Sequence, residues 1–468
     1  MPNMNFSILG FCVLLTTAAS ALATMPKVPL YRETYRPQFH FTANHGWIND
    51  PNGTVYFDGE YHLFFQYRPH SLVPTPEMSW GHAVSTDLVH WTQLPTALSP
   101  DDHGFIWSGS AVVDWHNTSG FGTPDHPPLI AMYTAAKDPF SQWIAYSNDR
   151  GRTFTKYSGN PVINHIANDN RDPHAFWHEP THRWVVAIFK DINDTFCLFS
   201  SPDLKHWTYL QDVVMPGCGE CPDFFPLALD GDAAKTLWVF TAANGKYLVG
   251  PFDGTHFHPM QDVRQVDFGQ NYYAVQTFND IPESDGRRIQ IAWMRDGKYP
   301  DMPFNQQMSF PAQLTLHQTP DGPRLFRTPV KEIELLRTGE SHWHDVALSD
   351  GKDLNTNLQG ELFEIHADIA VDQAEQVGLV IRNQPVSYLV KEKSLSGLGS
   401  APLELDNGQL HLTILVDRTS MEVFANDGRV SLTSCFLPQP NDQGISAFAK
   451  GGSARLQNLT VYSLKSAW

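Results

Sequence analysis

Ser85-Thr86-Asp87-Leu88-Val89-His90-Trp91-Thr92 is a polar turn followed by an aromatic-Thr strand start, and the chain repeats it. It returns as Ser147-Asn148-Asp149-Arg150-Gly151-Arg152-Thr153-Phe154-Thr155 and as Ser201-Pro202-Asp203-Leu204-Lys205-His206-Trp207-Thr208. The leading Ser residues stand 62 and then 54 residues apart, the interval a four-stranded propeller blade occupies. An apolar strand precedes each copy: His82-Ala83-Val84, Trp143-Ile144-Ala145-Tyr146 and Phe196-Cys197-Leu198-Phe199. Coincidence among common turn residues accounts for one pair and accounts for three poorly.

Working outward, Tyr61–Tyr67, Trp184–Phe189, Leu237–Thr241 and Ile289–Met294 read as further strands, and helical periodicity is scarce between residues 30 and 325. Pro329–Arg337 reads as a short helix or linker. Beyond it, His411–Asp417 and Met421–Phe424 alternate between turn signals without the repeated phrase, the pattern of an antiparallel β-sandwich. The expected organisation is all-β, with a propeller over residues 30–335 and a sandwich over 345–468.

Net charge is −18, from 32 basic and 50 acidic residues, which argues against nucleic acid or an anionic membrane as partner. The apolar run Phe6–Leu15, followed by Ala21-Leu22-Ala23, reads as a secretory leader over residues 1–23. Secreted, extracellular or periplasmic placement is the expectation, with no membrane association once the leader is removed. Cys218-Gly219-Glu220-Cys221 has a spacing used in redox and zinc sites, but no second such pair or βαβ pattern accompanies it. A local disulfide or two quiet thiols are the competing readings. No metal site is expected.

Three carboxylates stand beside Pro-containing turns. Trp47-Ile48-Asn49-Asp50-Pro51-Asn52-Gly53 holds Asp50 in dense turn chemistry, and the flanking Gln38–Phe41 and Val55–Phe57 read as strands. Asp50 is expected at a strand end, aimed by a tight Asn-Gly reversal. Arg171-Asp172-Pro173 sets a carboxylate beside a guanidinium, which alone is an ordinary surface pair. Glu220-Cys221-Pro222-Asp223-Phe224-Phe225 sets Glu220 before two Phe, apolar neighbours that favour a protonated carboxyl; a solvated loop charge is the alternative. On different blades, the three can meet in one axial pocket, where one ionised and one protonated carboxyl suffice for acetal cleavage.

These phrases, in this order, resemble glycoside hydrolase family 32, the family of invertases, levanases and inulinases. Phe64–Tyr67, Trp80-Gly81-His82, Trp107–Ser110 and Val416–Phe424 resemble it as well, so the likeness spans roughly residues 35 to 465. The resemblance implies a five-bladed β-propeller followed by a C-terminal β-sandwich. It implies Asp50 as nucleophile, Glu220 as general acid/base and Asp172 as stabiliser of the transition state, with retention through a covalent fructosyl-enzyme. Retention asks for carboxyls about 5–5.5 Å apart. Trp47, Asn49, Gln66, Trp80, Trp107, Ser108 and Arg171 would complete the pocket; packing or local hydrogen bonding competes for each. His82 and His103 have weaker claims. Asp417–Phe424 is expected to be structural.

No cofactor is implied, and sucrose or a fructan is the implied substrate. Asn244–Gly254 is similar to levanase- and inulinase-like members, which favours fructan alongside sucrose. A fructosyltransferase, or a fructan-binding module without catalysis, are the competing functions. Two departures stand out. Gly219 replaces an aromatic common in relatives, and Ala312-Gln313 replaces Arg-Glu.

Overall fold

The computed structural model describes residues 29–123 and 125–468. The expected leader lies outside them. Among the described residues, antiparallel four-stranded blades surround one axis, as the repeat predicts, and they number five, as the family resemblance implies. Their first strands are Gly46–Phe57, Phe105–Val113, Arg171–His178, Asp223–Leu229 and Tyr273–Thr277, and each blade then runs outward. Phe304–Asn305 adds a short parallel strand to the first blade, and Leu229 pairs with Leu316 to bridge the fourth and fifth. Burial follows the radius. Ser79–Ser85, third in its blade, is wholly buried, whereas Thr92–Leu98, fourth, is largely open.

The repeated phrase forms the turn between third and fourth strands in the first three blades. Asp87 Oδ1 accepts the backbone N–H groups of Val89 and His90, at 3.0 and 2.8 Å. Asp203 accepts the equivalent pair from Lys205 and His206, while Asp149 takes the N–H and hydroxyl of Thr153. Trp91 and Trp207 each donate their indole N–H back to a Leu carbonyl. The fourth blade has the same turn at Asp253, which accepts N–H groups from Thr255 and His256. No Ser introduces that copy, and Phe257 replaces its Trp, so the repeat is hidden in sequence.

Polar side chains bolt the inner strands together. Gln276 accepts from Thr54 and donates to the Gly109 carbonyl, and Asn279 donates to the carbonyls of Ala111 and Ala175. Asp223 accepts the Thr277 N–H at 2.6 Å. Buried backbone at the axis requires such partners, because no sheet edge closes there.

A 3-10 helix, Lys331–Leu336, leads from the last propeller strand into Arg337–Ser349, the first strand of a sandwich of two six-stranded sheets. That strand spans the stretch that the sequence left between 335 and 345. It pairs along its length with Ser453–Leu464. Gln38–Phe41, expected as a strand, is irregular because the sandwich captures its backbone. Asp417 accepts the N–H groups of Gln38, Phe39 and His40. His40 is fully buried between Asp417 and Glu422, at 2.9 Å from each. Burial alone would lower its pKa, but these two hydrogen bonds outweigh burial and hold it at about 9.

Candidate active site

Trp47–Gly53 is not a hairpin. It lies within the first inner strand, which bulges twice against Glu60–Arg68: between Ile48 and Pro51, and between Asn52 and Val55. Glu60–Arg68 along one side, joined by Phe304–Asn305 beside Gly46 and Trp47 on the other, holds the segment extended, so its turn chemistry is spent on bulges, which re-aim side chains. The reversal comes later, at Asp58-Gly59, both with positive φ. The first bulge carries Asn49 and Asp50 into the axial mouth.

There, Trp47 donates its indole N–H to Asn49 Oδ1 at 3.0 Å, which turns the Asn49 amide nitrogen onto Asp50 Oδ1, also at 3.0 Å. Ser108, from the second blade, donates to Asp50 Oδ2 at 2.5 Å. Burial raises the Asp50 pKa and the Glu220 charge adds to it; the bonds from Ser108 and Asn49 oppose both.

Asp172 opens the third inner strand with φ +62°, a left-handed backbone that an L-residue adopts under constraint. Its N–H donates to Thr134 Oγ1, and its Oδ2 accepts the Cys221 N–H at 3.0 Å. Burial, reinforced by Glu220 and Asp50 against the opposing Arg171, raises its pKa to about 7.

Glu220 and Cys221, before the fourth inner strand, also have positive φ. Glu220 Oε1 accepts from Arg171 Nη2 at 3.0 Å, and Oε2 accepts the Tyr273 hydroxyl. Phe224 and Phe225, expected to give Glu220 an apolar setting, turn instead into two separate cores. Strand alternation sends these side chains away from the carboxylate. Cys218 and Cys221 are free thiols. The Cys221 thiol lies 3.6 Å from Asp50 Oδ2 and 3.7 Å from Asp172 Oδ2, so it packs between the two acids.

The three carboxylates line one open cavity of about 350 Å³ with Trp47, Asn49, Gln66, Trp107, Ser108 and Arg171. Gln66 is anchored on the Ile106 carbonyl, and Trp107 donates to the Pro76 carbonyl. Trp80 is the exception. It is fully buried among Phe64 and Tyr133, donates its indole N–H to the Trp107 carbonyl, and supports the wall from behind. His82 stacks on Phe64 and His103 packs tilted against Trp143, and neither lines the cavity. Among the described residues, no cluster of His, Cys, Asp and Glu has a metal-binding arrangement.

The fifth blade supplies a wall that the sequence did not disclose: Tyr273, Trp293 and Arg295. The Arg295 guanidinium lies 4.7 Å from the Tyr273 ring centre. Gly219 has a local explanation. A Cβ there would meet the Phe189 ring at 3.2 Å, and Phe189 carries the Arg171 guanidinium on its face. Ala312 is buried in the fifth blade's third strand, remote from the cavity lining.

Over residues 40–329 the chain matches the glycosyl hydrolases family 32 N-terminal domain, and over residues 332–463 the C-terminal domain of the same family. A levanase of Bacillus subtilis (strain 168) is 40% identical over 98% of this chain and 74% of its own length. An extracellular exo-inulinase of Aspergillus ficuum is 31% identical, over 96% of this chain and 98% of its own. The crystal structure of exo-inulinase from Aspergillus awamori superposes with a TM-score of 0.85 at 29% identity, covering 94% of this chain and 100% of that one. Blades, cavity and sequence converge: the chain belongs to glycosyl hydrolase family 32.

Proposed function

We propose that the protein is a secreted β-fructofuranosidase that removes terminal fructosyl units from fructans and sucrose with retention of configuration. Relatives named levanase, extracellular exo-inulinase and invertase support the substrate class and the extracellular setting. The observation that carries the mechanism is the meeting of Asp50, Asp172 and Glu220, from the first, third and fourth blades, at one small open cavity.

Glu220, steered by Arg171 and Tyr273, protonates the leaving oxygen as the glycosidic bond breaks. Asp50 attacks the anomeric carbon and forms an acyl-linked fructosyl-enzyme. Ser108 and Asn49 favour the charged carboxylate this step requires. Proton sharing assists it, because a protonated Glu220 no longer repels the negative charge on Asp50. Asp172 stabilises the oxocarbenium character and accepts hydrogen bonds from ring hydroxyls. Water, deprotonated by Glu220, then releases fructose and restores both carboxyls. No cofactor takes part in these steps.

The test is product analysis on sucrose, levan and inulin with wild type, Asp50→Asn and Glu220→Gln. Wild type is expected to release free fructose, and each variant to lose about 10⁴-fold in kcat. Undiminished turnover by Asp50→Asn would remove the mechanism. Oligosaccharide as the main product at high sucrose would assign transfer instead of hydrolysis.

A further inference from the structure

The propeller has a second mouth. Every catalytic group sits at or just before the start of an inner strand, or within its first turns of extended chain. A cavity of about 640 Å³ opens where those strands end, against about 350 Å³ at the catalytic end. Asn52, Ser110, His174, Asp223 and Gln276 occupy the axis between the two and are all buried. The second cavity is therefore a separate compartment on the opposite face.

Its lining combines aromatic rings with planar polar groups. Trp115 is 52% exposed, and Trp177 and Trp238 are half-buried. Trp184 and Phe252, by contrast, are buried and explained by packing alone. The rims of two open rings are already tied down. Trp115 donates its indole N–H to Asp280 at 2.9 Å, and Trp177 donates its own to Glu179 at 2.5 Å. Both ring rims are thus fixed; Trp115 keeps an open surface, and Trp177, packed against His116, His182 and Trp184, keeps part of one, which suits stacking on the C–H face of a sugar.

Arg288 lies at the base of the same cavity. It uses Nη1 on the Thr277 hydroxyl and the Phe278 carbonyl, and it faces the Phe225 ring. Asp223 and Asp280 attract it from a distance, and among the described residues its side-chain hydrogen bonds both leave from Nη1. Unspent guanidinium donors beside clamped Trp rings match vicinal hydroxyls on a pyranose or furanose ring.

We propose that this cavity is a second carbohydrate site, which holds one or two fructosyl units of a fructan chain whose end is cut on the other face, or of a neighbouring chain. The proposal rests on the fructan reading given above. It adds a non-catalytic contact to it, which raises the effective concentration of polymer at the enzyme without altering the chemistry.

The test uses the full-length enzyme and the paired variant Trp115→Ala/Trp177→Ala. KM on levan is expected to rise about tenfold, the equivalent of about 1.4 kcal/mol, while kcat and KM on sucrose stay unchanged. An unchanged KM on levan, or a parallel rise on sucrose, overturns the proposal. If the alanine pair does not fold, Trp115→Phe/Trp177→Phe keeps ring area, and about a two- to threefold rise on levan is expected. Electrophoresis through levan-containing gel, with the wild-type and altered second cavities both carried on an Asp50→Asn background, reads binding without turnover. The protein with the wild-type cavity should be retarded more than the one with the altered cavity, and equal mobility refutes the second site. Failure of all fructoside hydrolysis would sink the function reading and leave the gel result to decide this one.

Discussion

Asp172 is held at about 7 chiefly by burial, with Glu220 and Asp50 adding to it, and that has a stability consequence. Its folded pKa is raised above the ordinary 3.8. The folded state is therefore disfavoured as pH rises from about 4 through about 7, where the unfolded chain ionises more readily. Asp172→Asn is expected to raise the melting temperature relative to wild type at pH 8 and not at pH 4, with a gain of about 2 kcal/mol at the higher pH. A lower melting temperature at pH 8 would show that the carboxylate stabilises its surroundings. Asp50, Asp172 and Glu220 were legible as cavity-lining residues because three Pro-bearing carboxylate phrases occur together and in order, although each alone has an ordinary structural use. Tyr273, Trp293 and Arg295 were not, because an aromatic strand end looks the same whether it packs or lines a cavity. Trp80 was misjudged for the same reason: its phrase marks the wall, and the ring behind the wall belongs to the core.

The unit that positions Asp50 is the doubly bulged strand Gly46–Phe57. Gly53, in its second bulge, has φ +52°, and a Cβ there would stand 2.7 Å from the Phe64 ring and 3.2 Å from Trp80. Gly53→Ala is expected to destabilise the protein by about 1–3 kcal/mol through overpacking and strain. It should also lower kcat by displacing Asp50; denaturant midpoint and initial rates measure the two effects, and an unchanged kcat would separate the bulge from catalysis. The sequence disclosed the turn residues of this strand without their use, since positive φ serves hairpins and bulges alike. The Ser-x-Asp turns were legible three times because their hydrogen bonds are local. The fourth, at Asp253, keeps the acceptor and loses the letters.

The two domains share a buried charge network. His40 is bonded to Asp417 and Glu422. Glu422 also receives Arg327 and the Phe310 N–H. Burial would raise the Glu422 pKa, yet these partners bring it down to about 2. The His40 pKa is raised from 6.5 to about 9, so its contribution is complete below pH 6.5 and is lost as pH rises through about 9. Melting temperature is expected to fall between pH 8 and pH 10 by the equivalent of about 1–3 kcal/mol, and this step should be absent in His40→Gln. A wild-type curve flat over that range would contradict a protonated His40. The change from propeller to sandwich was visible where the repeated phrase stops. The tie between them was not, because local patterning carries no trace of a partner 379 residues away.

That separation orders events during synthesis. A ribosome makes Asp50 early, but the short strand alongside Gly46 and Trp47 contains Phe304, and the clasp on Gln38–His40 is Asp417. Asp50, translated early, is thus among the last residues to have its surroundings completed. A chain interrupted before the clasp keeps the pairing of Gly46–Phe57 with Glu60–Arg68 but lacks the bonds that tie Gln38–His40 to the sandwich, so its nucleus of strands precedes its domain tie.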